Sequence, residues 1–235
     1  MIDRAALGPW IQAQHLEEDA LKRYREALAS SPARVNVLDD FLVESMAEKL
    51  TRFLMSEAEF KTEYGIASAD GAVSEEDFEN APDDERFFKL AKLAGIPPEH
   101  QFSPNALTYL RFRQTFQRPE FEAFFQEMSG LPLGASDDFG VHSMRTGDFL
   151  RPHSDNNRNR RLALVIYLSP DWEPGLGGRL EVIDKEGNIT PVEPKYNSMV
   201  VFDVLAETEH RVTPVEPAAG DRARLTIGGW YHRPD

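Results

Sequence analysis

Arg151-Pro152-His153-Ser154-Asp155-Asn156-Asn157, with the apolar run Arg161-Leu162-Ala163-Leu164-Val165-Ile166-Tyr167-Leu168 just after it, decides how the rest of the chain is read. His153 and Asp155 stand two residues apart, and in an extended backbone side chains at i and i+2 leave the same face, so an imidazole nitrogen and a carboxylate oxygen converge on one point. The pair alone also fits a surface turn with a capping aspartate. A third donor comes from a separate strand-like run, Glu207-Thr208-Glu209-His210-Arg211-Val212-Thr213. Two His and one Asp occupy one face of an octahedral metal and leave the opposite positions open, an arrangement suited to Fe(II).

After Leu133-Gly134 the chain breaks into short runs separated by turn residues, at 138–145, 148–153, 161–168, 178–184, 188–192, 198–204, 207–215 and 223–231. Short strands at that spacing predict an all-β sandwich or barrel. In the 161–168 run, Ala163, Val165 and Tyr167 share one face with Arg161, while Leu162, Leu164, Ile166 and Leu168 share the other, so both faces are expected to be largely buried. In 224–231, Arg224, Thr226, Gly228 and Trp230 alternate with Leu225, Ile227, Gly229 and Tyr231. Gly175-Leu176-Gly177-Gly178 precedes a strand rather than a helix and is read as a turn, not a phosphate loop.

The segment 139–232 resembles the 2-oxoglutarate/Fe(II)-dependent dioxygenases, and among them the prolyl 4-hydroxylase-like branch. The resemblance is carried by His153-Ser154-Asp155, Tyr167-Leu168-Ser169-Pro170-Asp171-Trp172, Gly177-Gly178, His210-Arg211-Val212 and the stretch from Arg224 to Trp230. It implies an α+β fold with a double-stranded β-helix, or jelly roll, braced by N-terminal helices. It implies His153, Asp155 and His210 as iron ligands, and Fe(II), 2-oxoglutarate and dioxygen as the reacting groups, with ascorbate as an accessory reductant. An arginine pointing into a barrel is costly unless it meets an anion. By resemblance, Arg224 grips the distal carboxylate of 2-oxoglutarate, its rival being Arg222 two residues earlier, and Gly228 leaves space nearby. Tyr167 is the second implied cosubstrate contact; a hydroxyl bonded to a backbone carbonyl is the other reading. One departure stands out: the family's tyrosine nine or ten residues before the first histidine is replaced by Ser143 and Met144, so the outer cosubstrate pocket is expected to differ.

The N-terminal half has a different grain. From Ile11 to Ala29, Leu16, Ala20, Tyr24 and Leu28 stand four apart and predict an amphipathic helix packed on the protein's own core. Val35–Leu38 reads as a short strand, and Met46, Leu50, Phe53 and Leu54 as a second helix. Phe87, Phe88, Leu90 and Leu93 suggest a short helix ended by Gly95, 107–116 a strand-like run through Tyr109, Arg111 and Arg113, and Pro119 a helix opening. Between them, 62–85 carries nine acids and no Lys or Arg, which predicts an exposed, mobile loop or a lid that attracts a basic substrate. We expect one domain over 1–235, with 1–133 mainly helical support and 134–235 most of the jelly-roll core. Of the remaining histidines, His142 sits near the site as a substrate contact or a partly buried side chain; His15, His100 and His232 have bland readings.

The 235 residues carry 40 acids against 26 bases, a formal charge of −14 that would repel a phosphate backbone and argues against nucleic acid as partner. No apolar run reaches a membrane span. With no cysteine and no secretory layout at its start, a reducing cytoplasm is the expected compartment. The function implied is hydroxylation of an unactivated C–H, in a prolyl or other residue of a protein or peptide. The alternatives are a hydroxylase of a free amino acid or small metabolite and, more remotely, a jelly-roll module that binds metal without catalysis.

Overall fold

The computed structural model describes residues 2–135, 137–157 and 159–234. In chain order the elements are α1 (Arg4–Leu7), α2 (Glu18–Ser30), β1 (Val35–Leu38), α3 (Glu44–Ser56), β2 (Glu59–Ile66), α4 (Glu75–Asn80), β3 (Arg86–Gly95), α5 (Pro104–Phe116), α6 (Pro119–Ser129), β4 (Phe139–Met144), β5 (Phe149–His153), β6 (Arg160–Tyr167), β7 (Leu180–Ile183), β8 (Ile189–Val192), β9 (Met199–Asp203), β10 (Glu209–Val212) and β11 (Arg224–His232). The hydrogen-bonded order is β1-β9-β6-β11-β4-β3-β5-β10-β7-β8, with β2 added to β3. Strands β4, β6, β9 and β11 thus lie together, as do β5, β7, β8 and β10. From β4 to β11 every connection except the β7–β8 hairpin crosses between the two sets, which is the interleaving of a jelly roll. The eight strands expected after Leu133 are all present, within about three residues at either end. β3 bridges the sets, pairing β4 at Ala91 and Lys92 and β5 at Phe88 and Lys89.

The two faces of the larger sheet have separate duties. Leu162, Leu164 and Ile166 of β6 and Leu225, Ile227 and Tyr231 of β11 join one buried cluster with Phe112, Phe116, Phe121 and Phe125 of the helices. Tyr231 donates its hydroxyl to Phe116 O at 2.7 Å, so its polar end is satisfied inside that apolar layer. Each fully buried aromatic there contributes up to about 3 kcal/mol of apolar transfer free energy, so this layer, away from the functional face, carries much of the stability. Ala163 and Tyr167 face the opposite way, into the cluster between the sheets.

Several local expectations are corrected. The helix expected from Ile11 is α2 and begins at Glu18, because Ile11 is drawn into a bridge with Leu42 and Ala13–Leu16 forms a 3-10 turn; Leu16, Ala20 and Leu28 are buried as expected. Residues 87–93 are strand, not helix. Their Lys, Leu and Ala favour helix locally, yet β3 pairs with β2 from Glu59 to Ile66, and tertiary pairing overrides propensity. Conversely 107–116 is helix: Ser103 caps Ala106 N, Pro104 takes the first turn, and Ala106, Tyr109, Phe112 and Phe116 form the buried stripe. The segment 62–85 is not a structureless loop. It contains the end of β2 and α4, which Ser74 caps, and Phe78 is buried at 3% exposure with its ring 5.2 Å from that of Tyr64. Arg86 donates to Phe78 O, Glu79 O and Ala81 O, pinning the C-terminal end of α4 with a cation. No helix among the described residues is long and apolar enough to cross a membrane.

Candidate metal centre and cosubstrate cavity

Strands β5 and β10 run antiparallel with His153 directly opposite His210, and this register brings the two imidazoles together, ring centroids 4.1 Å apart. Asp155, just beyond β5, completes the group: its Oδ1 lies 3.7 Å from His153 Nε2 and its Oδ2 3.4 Å from His210 Nε2. One donor atom from each of the three lies within 4.8 Å of the others, close enough for one ion to be held by all three.

The surroundings of the three side chains suit that task. His153 Nδ1–H donates to Arg151 O at 3.0 Å, which fixes the ring with Nε2 toward the other two residues. Burial, followed by the neighbouring His153, pushes His210 down to about 3, so it stays neutral and able to ligate. Asp155 is 6% exposed and receives a donor on each oxygen: Arg160 Nη1 on Oδ1 at 3.2 Å and Trp230 Nε1 on Oδ2 at 2.8 Å.

The triad opens onto a cavity of about 520 Å³ whose apolar walls include Phe87, Leu150, Val165, Phe202 and Val212, and whose polar lining includes His142, Arg224 and Thr226. Arg224 is 4% exposed, and no carboxylate lies within ion-pair distance among the described residues. Among the described residues its Nη1 meets only the thioether of Met144, at 3.6 Å, and its Nε has no partner. The Tyr167 hydroxyl beside it is also buried without a hydrogen-bond partner among the described residues, and the guanidinium carbon lies 5.0 Å from the Tyr167 ring centroid. The reading of that hydroxyl as bonded to a backbone carbonyl therefore falls away. Burial lowers the basicity of the guanidinium and raises the phenol above its ordinary value, the cost of holding both groups away from water. Gly178 makes room for the arginine: at φ +66° a Cβ would stand 2.7 Å from Arg224 Cδ.

The rival Arg222 is exposed and spends its donors on Ala218 O, Ala219 O and Asp171 O, away from this cavity. At the place of the missing tyrosine, Ser143 points to the other face of β4, while Met144 and His142 line the cavity. His142 is neutral here, pushed down to about 4 by burial and then by the charges of Lys92 and Arg224. Gly228 needs a different explanation from the one expected: a Cβ there would sit 2.4 Å from Leu164 O, so the glycine permits β11 to approach β6. Arg160 and Phe87 escaped the sequence reading. Phe87 packs edge-on against His153 from β3, a strand mistaken for helix, and no spacing rule marks Arg160 as a partner of Asp155.

Both implied groups fit these residues. Two imidazoles and a carboxylate suit Fe(II) with open positions, and a buried guanidinium and phenol with donors to spare among the described residues suit one end of a small dianion.

Comparisons with known proteins agree. Residues 139–232 match the family model of the 2OG-Fe(II) oxygenase superfamily. Prolyl 3-hydroxylase OGFOD1 of Mus musculus is 31% identical over 121 residues, covering 49% of this chain and 22% of the mouse protein. Prolyl 3-hydroxylase sudestada1 of Drosophila melanogaster is 34% identical over 98 residues, 37% of this chain and 18% of that protein. The chain thus spans about a fifth of the length of these relatives. Among solved structures, a Pseudomonas putida prolyl-4-hydroxylase superposes with a TM-score of 0.59 at 22% identity, covering 92% of this chain and all of that one. A Trichoplax adhaerens prolyl hydroxylase, in complex with a hypoxia inducible factor peptide fragment, gives 0.61 at 15% identity, with 94% and 93% covered. At those identities the structures speak for the fold, while the family match speaks for the segment that carries the cavity. Residues 139–232, the segment that carries the cavity, are thus similar to the 2OG-Fe(II) oxygenase superfamily, and the relatives matched over part of their length are prolyl 3-hydroxylases.

Proposed function

We propose that this protein is a 2-oxoglutarate- and Fe(II)-dependent dioxygenase that hydroxylates an unactivated C–H of a prolyl residue in a protein or peptide. The observation that carries the reading is the joint presence of the His153, Asp155 and His210 donor set and, lining the same cavity, a buried Arg224 with no carboxylate partner among the described residues, beside a Tyr167 hydroxyl with no hydrogen bond there. A module that only bound metal would gain nothing from an unpaired arginine beside an open triad, since burying that charge costs free energy with no return.

In this reading His153 Nε2, His210 Nε2 and an Asp155 oxygen hold the iron. When bound, iron with 2-oxoglutarate and dioxygen supplies the oxidising power that breaks the C–H bond, releasing succinate and carbon dioxide. The protein's own residues bind and orient. Arg224 takes the distal carboxylate through its fork, Tyr167 donates its hydroxyl to the same group, and Met144 and His142 close the neighbouring wall. Phe87, Leu150, Phe202 and Val212 keep the reacting end dry. The choice of a prolyl substrate is supported by the relatives being prolyl 3-hydroxylases and by a structural neighbour that holds a peptide. A cytoplasmic site of action belongs to the same proposal, supported by the absence of cysteine. The test is succinate release with Fe(II) and 2-oxoglutarate over a panel of proline-containing peptides and free amino acids, with mass spectrometry for hydroxyproline. Turnover of free amino acids alone would overturn the peptide reading, and no succinate with any substrate would overturn the activity.

A further inference from the structure

Arg160 stands where β6 begins, at a break in register: β11 pairs regularly from Thr226 to Tyr231, then His232 meets Arg160. Under unbroken alternation Arg160 would share the face of Leu162 and Leu164, toward the helices. Instead it lines the cavity, as expected of a bulge that re-aims a side chain. Its guanidinium is held on every side. Nε and Nη2 fork onto Asp138 at 2.7 and 3.2 Å, Nη1 reaches Asp155 Oδ1 at 3.2 Å, and its central carbon lies 3.5 Å from the ring centroid of Trp230. Trp230 in turn donates Nε1–H to the other Asp155 oxygen at 2.8 Å.

We infer that Arg160 is a positioning residue for the Asp155 carboxylate, fixing, together with the Trp230 ring it lies on, the orientation in which that carboxylate is presented to a divalent metal. The inference rests on the metal reading proposed above. Three points carry it. Donors from two different strands, one on each oxygen, block rotation of the carboxylate about its final bond. A planar, permanently charged fork can span Asp138 and Asp155 at once, which a lysine ammonium cannot. Arg160 also shares its one positive charge between two carboxylates, so Asp155 keeps part of its negative charge for the metal. A purely structural ion pair would satisfy the first observation, but it would leave metal affinity unaffected once folding is intact.

The experiment is equilibrium binding of Mn(II), without dioxygen or substrate, to the wild-type protein and to Arg160→Met, Arg160→Lys and Asp138→Asn, with the visible absorption of bound Co(II) as a second readout. Circular dichroism checks folding. Arg160→Met should weaken Mn(II) binding by about 10- to 100-fold, the usual effect of removing a partner of a metal ligand, and should change the Co(II) bands. Arg160→Lys should fail to restore either. If Arg160→Met does not fold, Asp138→Asn frees the far side of the fork while leaving the groups that touch Asp155 in place, and should weaken binding in the same direction by less. Wild-type Mn(II) affinity and Co(II) bands in folded Arg160→Met, or in Asp138→Asn where that variant stands in, would overturn the inference. Full rescue by lysine would overturn the fork in favour of simple charge. A wild-type protein that binds neither metal would overturn the metal reading itself, and this inference with it.

Discussion

Replacing Arg224 by Met keeps most of the stem that packs over Gly178 and removes the charge, and it should have opposite effects on the protein with and without 2-oxoglutarate. Without the dianion, Arg224 is a buried cation whose only hydrogen-bond contact among the described residues is the Met144 sulfur at 3.6 Å. Deleting such a charge removes a desolvation cost, so the metal-loaded protein should melt at the wild-type temperature or above it. With the dianion the sign reverses. Two charge-assisted hydrogen bonds of about 1.5–3 kcal/mol each are lost, partly offset by that relief, which leaves a loss near 3 kcal/mol and about 100-fold weaker binding. The assay is thermal unfolding with Mn(II) and 2-oxoglutarate under conditions that prevent turnover. At a ligand concentration about 100 times the wild-type Kd, binding stabilises by about 2.7 kcal/mol. For a chain of this size that raises Tm by about 5–10 °C. The variant at the same concentration should gain only about 0.4 kcal/mol, near 1 °C. An Arg224→Met protein that kept the full shift would refute the anchoring role. One that melted well below wild type before any ligand was added would show that the arginine is already satisfied in the empty cavity. Arg222→Met, altering an exposed side chain bonded to nearby carbonyls, should change neither measurement.

His153→Ala and His210→Ala should each lose Mn(II) binding and succinate release while keeping the wild-type circular dichroism spectrum, because the core lies on the far side of the sheet; retained metal binding in either would remove that histidine from the donor set. Gly228→Ala should destabilise by several kcal/mol, since the added methyl meets the Leu164 carbonyl of a neighbouring strand and neither backbone can retreat; an unchanged urea midpoint would refute the close-approach account. His142, held neutral with its value lowered to about 4, binds fewer protons folded than unfolded between that pH and the ordinary 6.5. Its contribution is therefore fully present above pH 6.5 and is lost as pH falls toward 4, on the order of 1–3 kcal/mol in total. His142→Gln should flatten the fall of the urea midpoint over that window, and an identical slope in both proteins would contradict it.

The amino-acid sequence by itself determined the eight strands of the jelly roll, because alternation on a half-buried pleat leaves a period-two record wherever both faces have fixed destinations, as in 161–168 and 224–231. It also offered the three metal-donor candidates, since the His-x-Asp spacing and a histidine on a later strand-like run are legible in residue order, although Asp155 lies just beyond the end of β5. The inward aim of Arg224 and Tyr167 followed from the same parity. Tertiary structure alone decided the rest. β3 is a strand only because β2 and the mouths of both sheets offer it partners, against its helix-favouring composition, and α5 is a helix through a cap and a core stripe that outweigh its local strand pattern. Opposing His153 to His210 required a register between strands more than fifty residues apart. The hold of Arg160 and Trp230 on Asp155 depends on a bulge that turns a side chain against its strand's alternation. No linear spacing records such a bulge, because its cause is the pairing of β6 with β11 and not the order of residues along either.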